Sequence, residues 1–590
     1  MPGQADSRIY EFKGFRLEVA QRRLLCQGQP VPLKPKVLDL LLYLIERRNQ
    51  LVIKEDLMRD LWPDAVVEEN NITVSMSMLR KALGDDSDKR TFIETVPRCG
   101  YRFLPDVTEI GHEQASPADV QNGTESAFRE DLIDSIAVLP VQSESNDPNI
   151  EYLSEGITES LINTLSRIPR LRVLACSTVL RFKGKHIDPQ AVGQQLAVTV
   201  VLMIRVLRLG EKLVIRSELV KVADGSQLWG EQYNRGLSDL LEIQEEITRA
   251  IAESLKFKLT QQDKIRLTQK PTDNIEAFNL YLRGRYFWNR YDKEWVLKAI
   301  EAFRQAIDID AHYALAYCGL ADAYFRLSNV HFSPREVLPK AKEAALKAVE
   351  MDEDLAEAHS SLALISVYYD HNWQRAEVEF RKALELNPDL ISAHQRYGSY
   401  LTFMGRFEEA IRHYETALEL DPFSLQINVN LATTYYLRGE YDRAVNHLKK
   451  TSELEPNYMP TRFVLACTYT QQGRLVEAIE EFQQIYKLDN EAYIAMGFMG
   501  YAHGLAGQRD EAQTLLNVLE EISTRQYISP YSILVIHLVL GPEERVFELL
   551  EHLYEEHNDW LVWLKVSPEL KPLRDHPRFK SLLRRLSFPQ

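Results

Sequence analysis

Residues 68–103 read EENNITVSMSMLRKALGDDSDKRTFIETVPRCGYRF, and this stretch decides the fold of the N-terminal part of the chain. Apolar residues recur in it at steps of four, three and four, which predicts an amphipathic helix with one buried stripe. The stripe consists of Ile72, Met76, Leu79 and Leu83. Gly84 then gives a stop signal. The β-rich run Thr91–Val96, the turn Pro97–Gly100 and the run Tyr101–Phe103 predict a two-stranded hairpin. A helix followed by such a hairpin indicates a winged helix-turn-helix.

The opposite face of the predicted helix carries short hydrogen-bonding side chains instead of the usual Glu and Lys. Groups of this kind can enter a DNA major groove without steric or electrostatic conflict. They are Asn70, Asn71, Thr73, Ser75, Ser77, Met78 and Arg80, with Met78 the one apolar member.

The pattern LRKALGDD…F-I-x-T-V-x-R-x-G-Y-R-F resembles the effector domain of the OmpR/PhoB family of bacterial transcription regulators. The resemblance covers Ile9–Phe103, including an N-terminal β-meander and a helix at Lys36–Arg47. It implies a helix in the major groove and a wing on the adjacent minor groove or its phosphates. The DNA-facing residues that it implies are Asn71, Thr73, Ser75, Ser77, Met78, Arg80, Lys81 and, on the wing, Arg98.

Two departures from the family pattern affect DNA affinity more than the fold. Relatives often place arginines where Ser77 and Met78 stand, and Gly or Arg where Cys99 stands. We expect Arg80→Ala and Arg98→Ala to weaken DNA binding and leave thermal stability unchanged. The alternative for this domain is a winged helix that binds only protein.

Charge is distributed unevenly along the 590 residues, whose net charge is −16. Residues 1–105 hold 17 Lys and Arg against 15 Asp and Glu, a net charge of +2, so the remainder carries −18. The acidic excess thus lies outside the part predicted to approach phosphates. A charge of +2 is weak, so we expect modest affinity for one copy and binding as a dimer or array on repeated sites.

Compartment and redox state follow from the cysteines and the apolar runs. Cys26, Cys99, Cys176, Cys318 and Cys467 are scattered and odd in number, which supports neither a disulfide framework nor a zinc site. We find no signal peptide and no apolar run of the ~18–20 residues that span a bilayer. The sequence therefore predicts a cytoplasmic protein, unlike the membrane-anchored ToxR/CadC-type regulators whose winged helix it also resembles.

After a predicted flexible linker at 106–131, residues 132–262 change periodicity and predict an α/β domain. Its order is β-α-β-α-β-β-β-α, with hairpin signals at 209–212 and 223–226. The strand SIAVLPV, the helix with YLSEGITESLINTLSRIPRLRVL and the segment DGSQLWGEQYNR are similar to TolB N-terminal-like modules.

Catalytic chemistry has little support in this domain. Glu151, Glu155 and Glu159 can share a helix face, but no nucleophile or His stands at a spacing that demands chemistry. We predict no enzyme, no catalytic residue, no cofactor and no metal. The polar segment with Ser177, Thr178, Arg181 and Lys183 is either an exposed loop or a site for an anionic ligand.

Residues 263–525 repeat with a period of 34 residues, which three residue types mark independently. Those residues are Pro388, Pro422 and Pro456; Gly405, Gly439, Gly473 and Gly507; and Ala376, Ala410, Ala444, Ala478 and Ala512. The stretch FMGRFEEAIRHYETALELDP (403–422) resembles the tetratricopeptide (TPR) consensus, which implies an all-α solenoid. Residues 526–590 are predicted to be a helical cap, in which Trp560 and Trp563 cover the last helical face.

A TPR solenoid presents a concave surface that usually holds a peptide or protein partner. Polar residues on the first helices that could line it are His394, Arg396, Asn428, Asn430 and Arg462, although for each one alone a solvated position is the commoner explanation.

The sequence therefore indicates a one-component transcription regulator that binds double-stranded DNA, with repeats for a partner or for homo-oligomerisation and no membrane contact. Two alternatives remain open. One is a TPR scaffold tethered to DNA without control of a promoter, and the other is a ligand-responsive sensor centred on residues 132–259.

Overall fold

The computed structural model divides the chain into two compact units, Met1–Phe128 and Arg129–Gln590. It describes residues 9–18, 23–26, 29–31, 33, 35–47, 52–53, 57, 76, 78–80, 82–83, 92–96, 100–105, 107–110, 133–143, 148–168, 171–184, 188–209, 212–236, 240–254, 270–290, 293–328 and 332–588.

The N-terminal unit contains a five-stranded antiparallel sheet in the order β4-β3-β2-β1-β8. Its strands are β1 (Ile9–Phe12), β2 (Phe15–Glu18), β3 (Arg23–Cys26), β4 (Gln29–Val31) and β8 (Thr108–Ile110). Alternate side chains such as Tyr10, Phe12 and Leu17 are buried, as expected for a sheet with one face on a core. The predicted β-meander is confirmed, and β8, which follows the wing, pairs with β1.

A second, three-stranded sheet in the order β5-β7-β6 forms the wing. Its strands are β5 (Val52–Ile53), β6 (Ile93–Val96) and β7 (Gly100–Phe103). Helix α1 (Pro35–Glu46) buries Leu38, Leu41 and Ile45 against the common core of the unit. The rings of Phe12 and Phe103 meet edge to face with their centroids 5.3 Å apart, which joins the meander to the wing.

Residues 133–254 form the α/β module at the start of the second unit. Its mixed sheet has the order β11-β9-β12-β13-β14, with β10 paired to β12. The strands are β9 (Ser135–Val138), β10 (Gln142–Ser143), β11 (Arg172–Val173), β12 (Val200–Leu209), β13 (Lys212–Lys221) and β14 (Gln227–Gly236). The helices are α2 (Pro148–Leu165), α3 (Cys176–Leu180), α4 (Pro189–Gln195) and α5 (Leu240–Ser254). The predicted order β-α-β-α-β-β-β-α is present, with two additional short elements that the sequence did not predict, strand β10 and helix α3.

The described residues between 270 and 555 form eight antiparallel helix pairs, which we call repeats 1 to 8. The pairs are α6 (Ile275–Trp288) with α7 (Lys293–Ile309), α8 (Ala314–Leu327) with α9 (Pro334–Met351), α10 (Ala356–Tyr368) with α11 (Trp373–Leu386), α12 (Ile391–Phe403) with α13 (Phe407–Leu420), α14 (Leu425–Arg438) with α15 (Tyr441–Leu454), α16 (Met459–Gln471) with α17 (Leu475–Leu488), α18 (Tyr493–Leu505) with α19 (Arg509–Ser523), and α20 (Tyr531–Leu540) with α21 (Glu543–Glu555). Repeat 8 thus lies in the part that the sequence assigned to a cap.

The 34-residue period has a direct structural cause. Its alanines, such as Ala376 and Ala410, are fully buried where the two helices of a repeat approach. The repeated glycines turn the chain between the helices with a left-handed φ of +77° at Gly405 and +88° at Gly439, a conformation that glycine adopts without strain.

The last part of the chain returns onto the repeats. Two 3₁₀ helices, Asp559–Trp563 and Pro568–Leu573, precede helix α22 (Pro577–Arg585). We call residues 556–588 the C-terminal segment.

Candidate nucleic-acid interface

The predicted recognition helix divides into a buried and an exposed face. Met76, Leu79 and Leu83 are helical and buried, as the stripe requires, whereas Met78 on the other face has a relative exposure of 40%. Ile72 lies outside the described residues. An apolar side chain exposed on this face is available for van der Waals contact with a thymine methyl group.

Arg80 contacts the wing of its own domain. Its Nη2 donates a hydrogen bond to the carbonyl oxygen of Ile93 at 3.0 Å, and its guanidinium lies 5.9 Å from the ring centroid of Tyr101. The side chain therefore joins the helix to β6 and β7. This corrects the expectation that Arg80→Ala would leave thermal stability unchanged, because that substitution removes an intradomain hydrogen bond.

Most of the other predicted DNA-facing residues lie outside the described part of the chain. They are Asn71, Thr73, Ser75, Ser77, Lys81 and Arg98, and their roles stay predictions. On the wing itself, Arg102 of β7 donates to Glu94 of β6 at 2.9 Å, at opposed positions of the hairpin. A cross-strand pair of this kind supports the register of a hairpin.

Of the five polar residues predicted to line the repeat surface, His394, Asn428 and Arg462 form pairs inside individual repeats. Arg396 of repeat 4 instead donates to Asp322 of repeat 2, and Asn430 accepts from Gln426 of its own helix. His394 Nδ1 lies 2.9 Å from His413 Nδ1, and Arg462 donates to Glu481 at 2.7 Å. Asn428 is bonded in the same way to His447, so one pair recurs at equivalent positions of repeats 4, 5 and 6. These paired side chains link the two helices of a repeat. They are therefore neither ligand contacts nor solvated positions, which were the two interpretations that the sequence allowed.

The C-terminal segment packs on the first helices of repeats 4 and 6 to 8, the surface on which the sequence predicted a partner. The ring of Trp560 stacks on Tyr531 at 4.4 Å and lies 5.9 Å from Phe498. Trp563 meets Phe403 edge to face at 4.5 Å. The two tryptophans therefore pack on this surface. Trp560 contacts the last repeat through Tyr531, as the sequence predicted, whereas Trp563 contacts repeat 4.

The far end of the same segment reaches the turn between the helices of repeat 3. There Trp373 Nε1 donates to the carbonyl oxygen of Leu586 at 2.7 Å, and its ring stacks on Phe588 at 4.6 Å.

Glu569 is buried and accepts a hydrogen bond from the hydroxyl of Tyr531 at 2.7 Å, and burial raises the pKa of its carboxyl.

The α/β module packs on repeats 1 to 4. Helix α2 lies against α6, and Glu159 accepts from Nε of Arg285 at 2.9 Å in a buried ion pair. At the other end of this interface, the backbone N–H of Ala175 donates to the carbonyl oxygen of Leu420 at 3.1 Å.

The polar segment at 177–183 belongs to this same interface. Ser177 and Thr178 both donate to the carboxylate of Asp421, and the guanidinium of Arg181 lies 4.4 Å from the ring centroid of Phe423. Lys183 donates to Glu155 at 2.6 Å. The polar groups of this segment therefore bind other residues of the protein. The segment is neither a plain exposed loop nor an open anion site.

Two parts of the chain match known protein families. Residues 28–103 match the family described as transcriptional regulatory protein, C terminal. Residues 28–103 are an OmpR/PhoB-type effector domain. Residues 368–485 match the family described as anaphase-promoting complex, cyclosome, subunit 3, in the region of the TPR repeats.

Three relatives illustrate the range of similarity. The chain is 24% identical to the transcriptional regulator HilA of Salmonella typhimurium over 70% of each protein. It is 31% identical to the transcriptional activator CadC of Escherichia coli over 15% of this chain and 17% of that one. It is 32% identical to a Rhizobium meliloti protein named as adenylate cyclase 3 over 39% of this chain, which spans only 40% of that protein's length.

Within the described residues, no three His, Cys, Asp or Glu side chains are grouped as metal ligands. None of the helices in that same part of the chain combines the length and apolarity needed to cross a bilayer.

Proposed function

We propose that this protein is a transcription regulator that binds double-stranded DNA through the OmpR/PhoB-type domain, with the helix containing Met76–Leu83 in the major groove. The observation that carries the proposal is the family match of residues 28–103, together with the burial of Met76, Leu79 and Leu83 beside an exposed Met78. The DNA-facing set is Asn71, Thr73, Ser75, Ser77, Met78, Arg80, Lys81 and Arg98.

Arg80 has a double role in this proposal. Its hydrogen bond to Ile93 holds the helix against the wing, so the two DNA-contacting elements keep a fixed relative position. Arg98→Ala is then the cleaner test of phosphate contact. A single lost phosphate contact weakens binding to all sequences alike and reduces the salt dependence by about one ion.

The experiment is a pull-down of genomic DNA fragments by the purified full chain at physiological salt, repeated with the whole N-terminal unit, residues 1–128. Enrichment of a few sites that share a repeated half-site is the expected result. Smooth coverage of all fragments would contradict promoter-specific control and favour a scaffold tethered to DNA.

For the repeats, we propose a role in holding the α/β module and, through their remaining surfaces, a protein partner or a second copy of the chain. The contacts of Asp421 with Ser177 and Thr178 support the first part. A partner for the first helices that the C-terminal segment covers would have to displace this segment. Removal of residues 556–590 should therefore increase peptide capture by the repeats if such exchange occurs, and unchanged capture would place the partner elsewhere.

A further inference from the structure

A cavity of about 160 Å³ lies between helix α2 of the α/β module and the first helices of repeats 1 to 4. At about 30 Å³ for each molecule in liquid water, this volume equals about five waters or one small organic molecule. Cavities between packed domains are where small-molecule sites are most often found.

Among the described residues, six charged ones line the cavity, three of each sign. They are Arg167, Arg285 and Arg396 with Glu159, Asp322 and Glu357. Arg396 donates to Asp322 at 2.7 Å, and the side chains of this pair have relative exposures of 16% and 13%. A ligand with a net charge would meet as many like charges as opposite ones here, so the lining favours a molecule whose own charges sum to zero.

The lining nevertheless contains hydrogen-bond donors and acceptors whose capacity is not fully used by other residues of the lining. Nη1 of Arg285 and Nε of Arg396 make no hydrogen bond within the described part of the chain. Glu357 has only a 4.0 Å contact with Arg167 there. Guanidinium N–H groups bind carboxylates, and a carboxylate binds an ammonium group.

The rest of the wall is partly apolar, with Phe278, Tyr281, Leu282 and Leu390 among its members. It also holds a buried donor and a buried acceptor, Trp288 Nε1 and Gln244 Oε1, that lack partners among the described residues. A cavity of this kind can receive a small aliphatic group beside polar ones.

We infer that this cavity is a binding site for a small zwitterion of the α-amino-acid type, with its carboxylate toward Arg285 and Arg396 and its ammonium group toward Glu357. The ligand would contact the module and the repeats at once and so strengthen their association. An effect of this ligand on DNA binding rests on the proposed function, whereas the binding of the ligand to the cavity does not.

The test measures the thermal stability of the full chain, without DNA, in the presence of each of the twenty L-amino acids. At least one should raise the melting temperature by about 2 °C or more. For an aliphatic ligand such as L-valine, the matched compounds are isovalerate, which lacks the amino group, and isobutylamine, which lacks the carboxylate. Neither should stabilise the protein.

Two variants locate the binding. Ser392→Leu places a larger side chain in the cavity wall and should abolish stabilisation, while Ser523→Leu, at an exposed position of α19, should respond like the wild type. Should Ser392→Leu fail to fold, Glu357→Gln keeps the shape of the wall and should weaken binding about tenfold.

Three results would overturn the inference, and none of them bears on DNA binding. If no amino acid stabilises the wild type, the cavity holds only water. Equal stabilisation by isovalerate or isobutylamine would exclude a zwitterion as the ligand class. Equal responses of Ser392→Leu, Glu357→Gln and the wild type would place the binding elsewhere.

Discussion

Thr178 Oγ1 donates a hydrogen bond of 2.7 Å to Asp421 Oδ1, although 243 residues of chain separate them. Both residues are buried, and burial raises the pKa of the Asp421 carboxyl. This contact joins the α/β module to the loop between repeats 4 and 5. A substitution of either residue should therefore affect both the α/β module and the repeats.

We expect Asp421→Ala to lower the free energy of unfolding by about 1–3 kcal/mol, because it leaves the buried hydroxyl of Thr178 without its acceptor. Urea denaturation monitored by tryptophan fluorescence measures this. Asp489→Ala is the matched control, since Asp489 holds the equivalent position two repeats later and caps its own loop through the N–H of Glu491 at 2.8 Å. Equal losses for the two variants would mean that the contact with Thr178 contributes nothing beyond the loop cap.

Arg285→Met should be strongly destabilising, by about 3–5 kcal/mol, because it leaves Glu159 buried without its cation. The shift of the urea midpoint gives the loss. Lys298→Met at the exposed pair with Glu294 serves as the control and should leave that midpoint unchanged. If Glu159→Gln combined with Arg285→Met is no more stable than Arg285→Met alone, the cost does not come from the uncompensated charge.

Two glycines of α18 should respond differently to alanine. A Cβ at Gly497 would lie 2.3 Å from the backbone oxygen of Ser532, whereas one at Gly500 would meet side-chain atoms of Ile536, with Cδ1 at 2.7 Å and Cγ1 at 2.8 Å. A side-chain end can rotate away, but a helix backbone must move as a whole. We expect Gly497→Ala to lose about 1–3 kcal/mol and Gly500→Ala to lose less, as measured by thermal and urea unfolding. Similar losses would show that α20 adjusts freely.

Asp559 predicts a dependence of stability on pH. Burial raises the pKa of its carboxyl from 3.8 to about 7. Between these values the unfolded chain has released this proton and the folded chain has kept it, so the contribution of Asp559 to stability falls as the pH rises from 4 to 7. Asp559→Asn should remove that fall, so that the variant gains on the wild type between pH 4.5 and pH 7 in urea midpoint.

Asp575→Asn is the control for this effect, because Asp575 is exposed and its contact with Lys580 lies on the surface. The difference between Asp559→Asn and the wild type should vary with pH, while the difference between Asp575→Asn and the wild type should not. A pH-independent difference at Asp559 would mean that its carboxyl is ionised in the folded protein.

The sequence by itself determined the features that depend on local or periodic interactions. The buried stripe at Met76, Leu79 and Leu83 follows from the helical period. The 34-residue spacing of Gly405 and Ala410 specifies a turn and a close helix contact that are formed within each repeat. The hairpins of the α/β module were predictable for the same reason, since their turns join strands that are neighbours in the chain.

Only the tertiary structure decided which polar residues are free and which are bound. Arg80 was predicted to face DNA, and its bond to Ile93 depends on where the wing lies against the helix. The contact of Asp421 with Thr178, the packing of Trp560 on the repeats and the cavity beside Arg396 each bring together parts of the chain that are separated in sequence. Periodicity shows which face of an element is buried, but not which distant segment covers it, because that depends on the path of the whole chain.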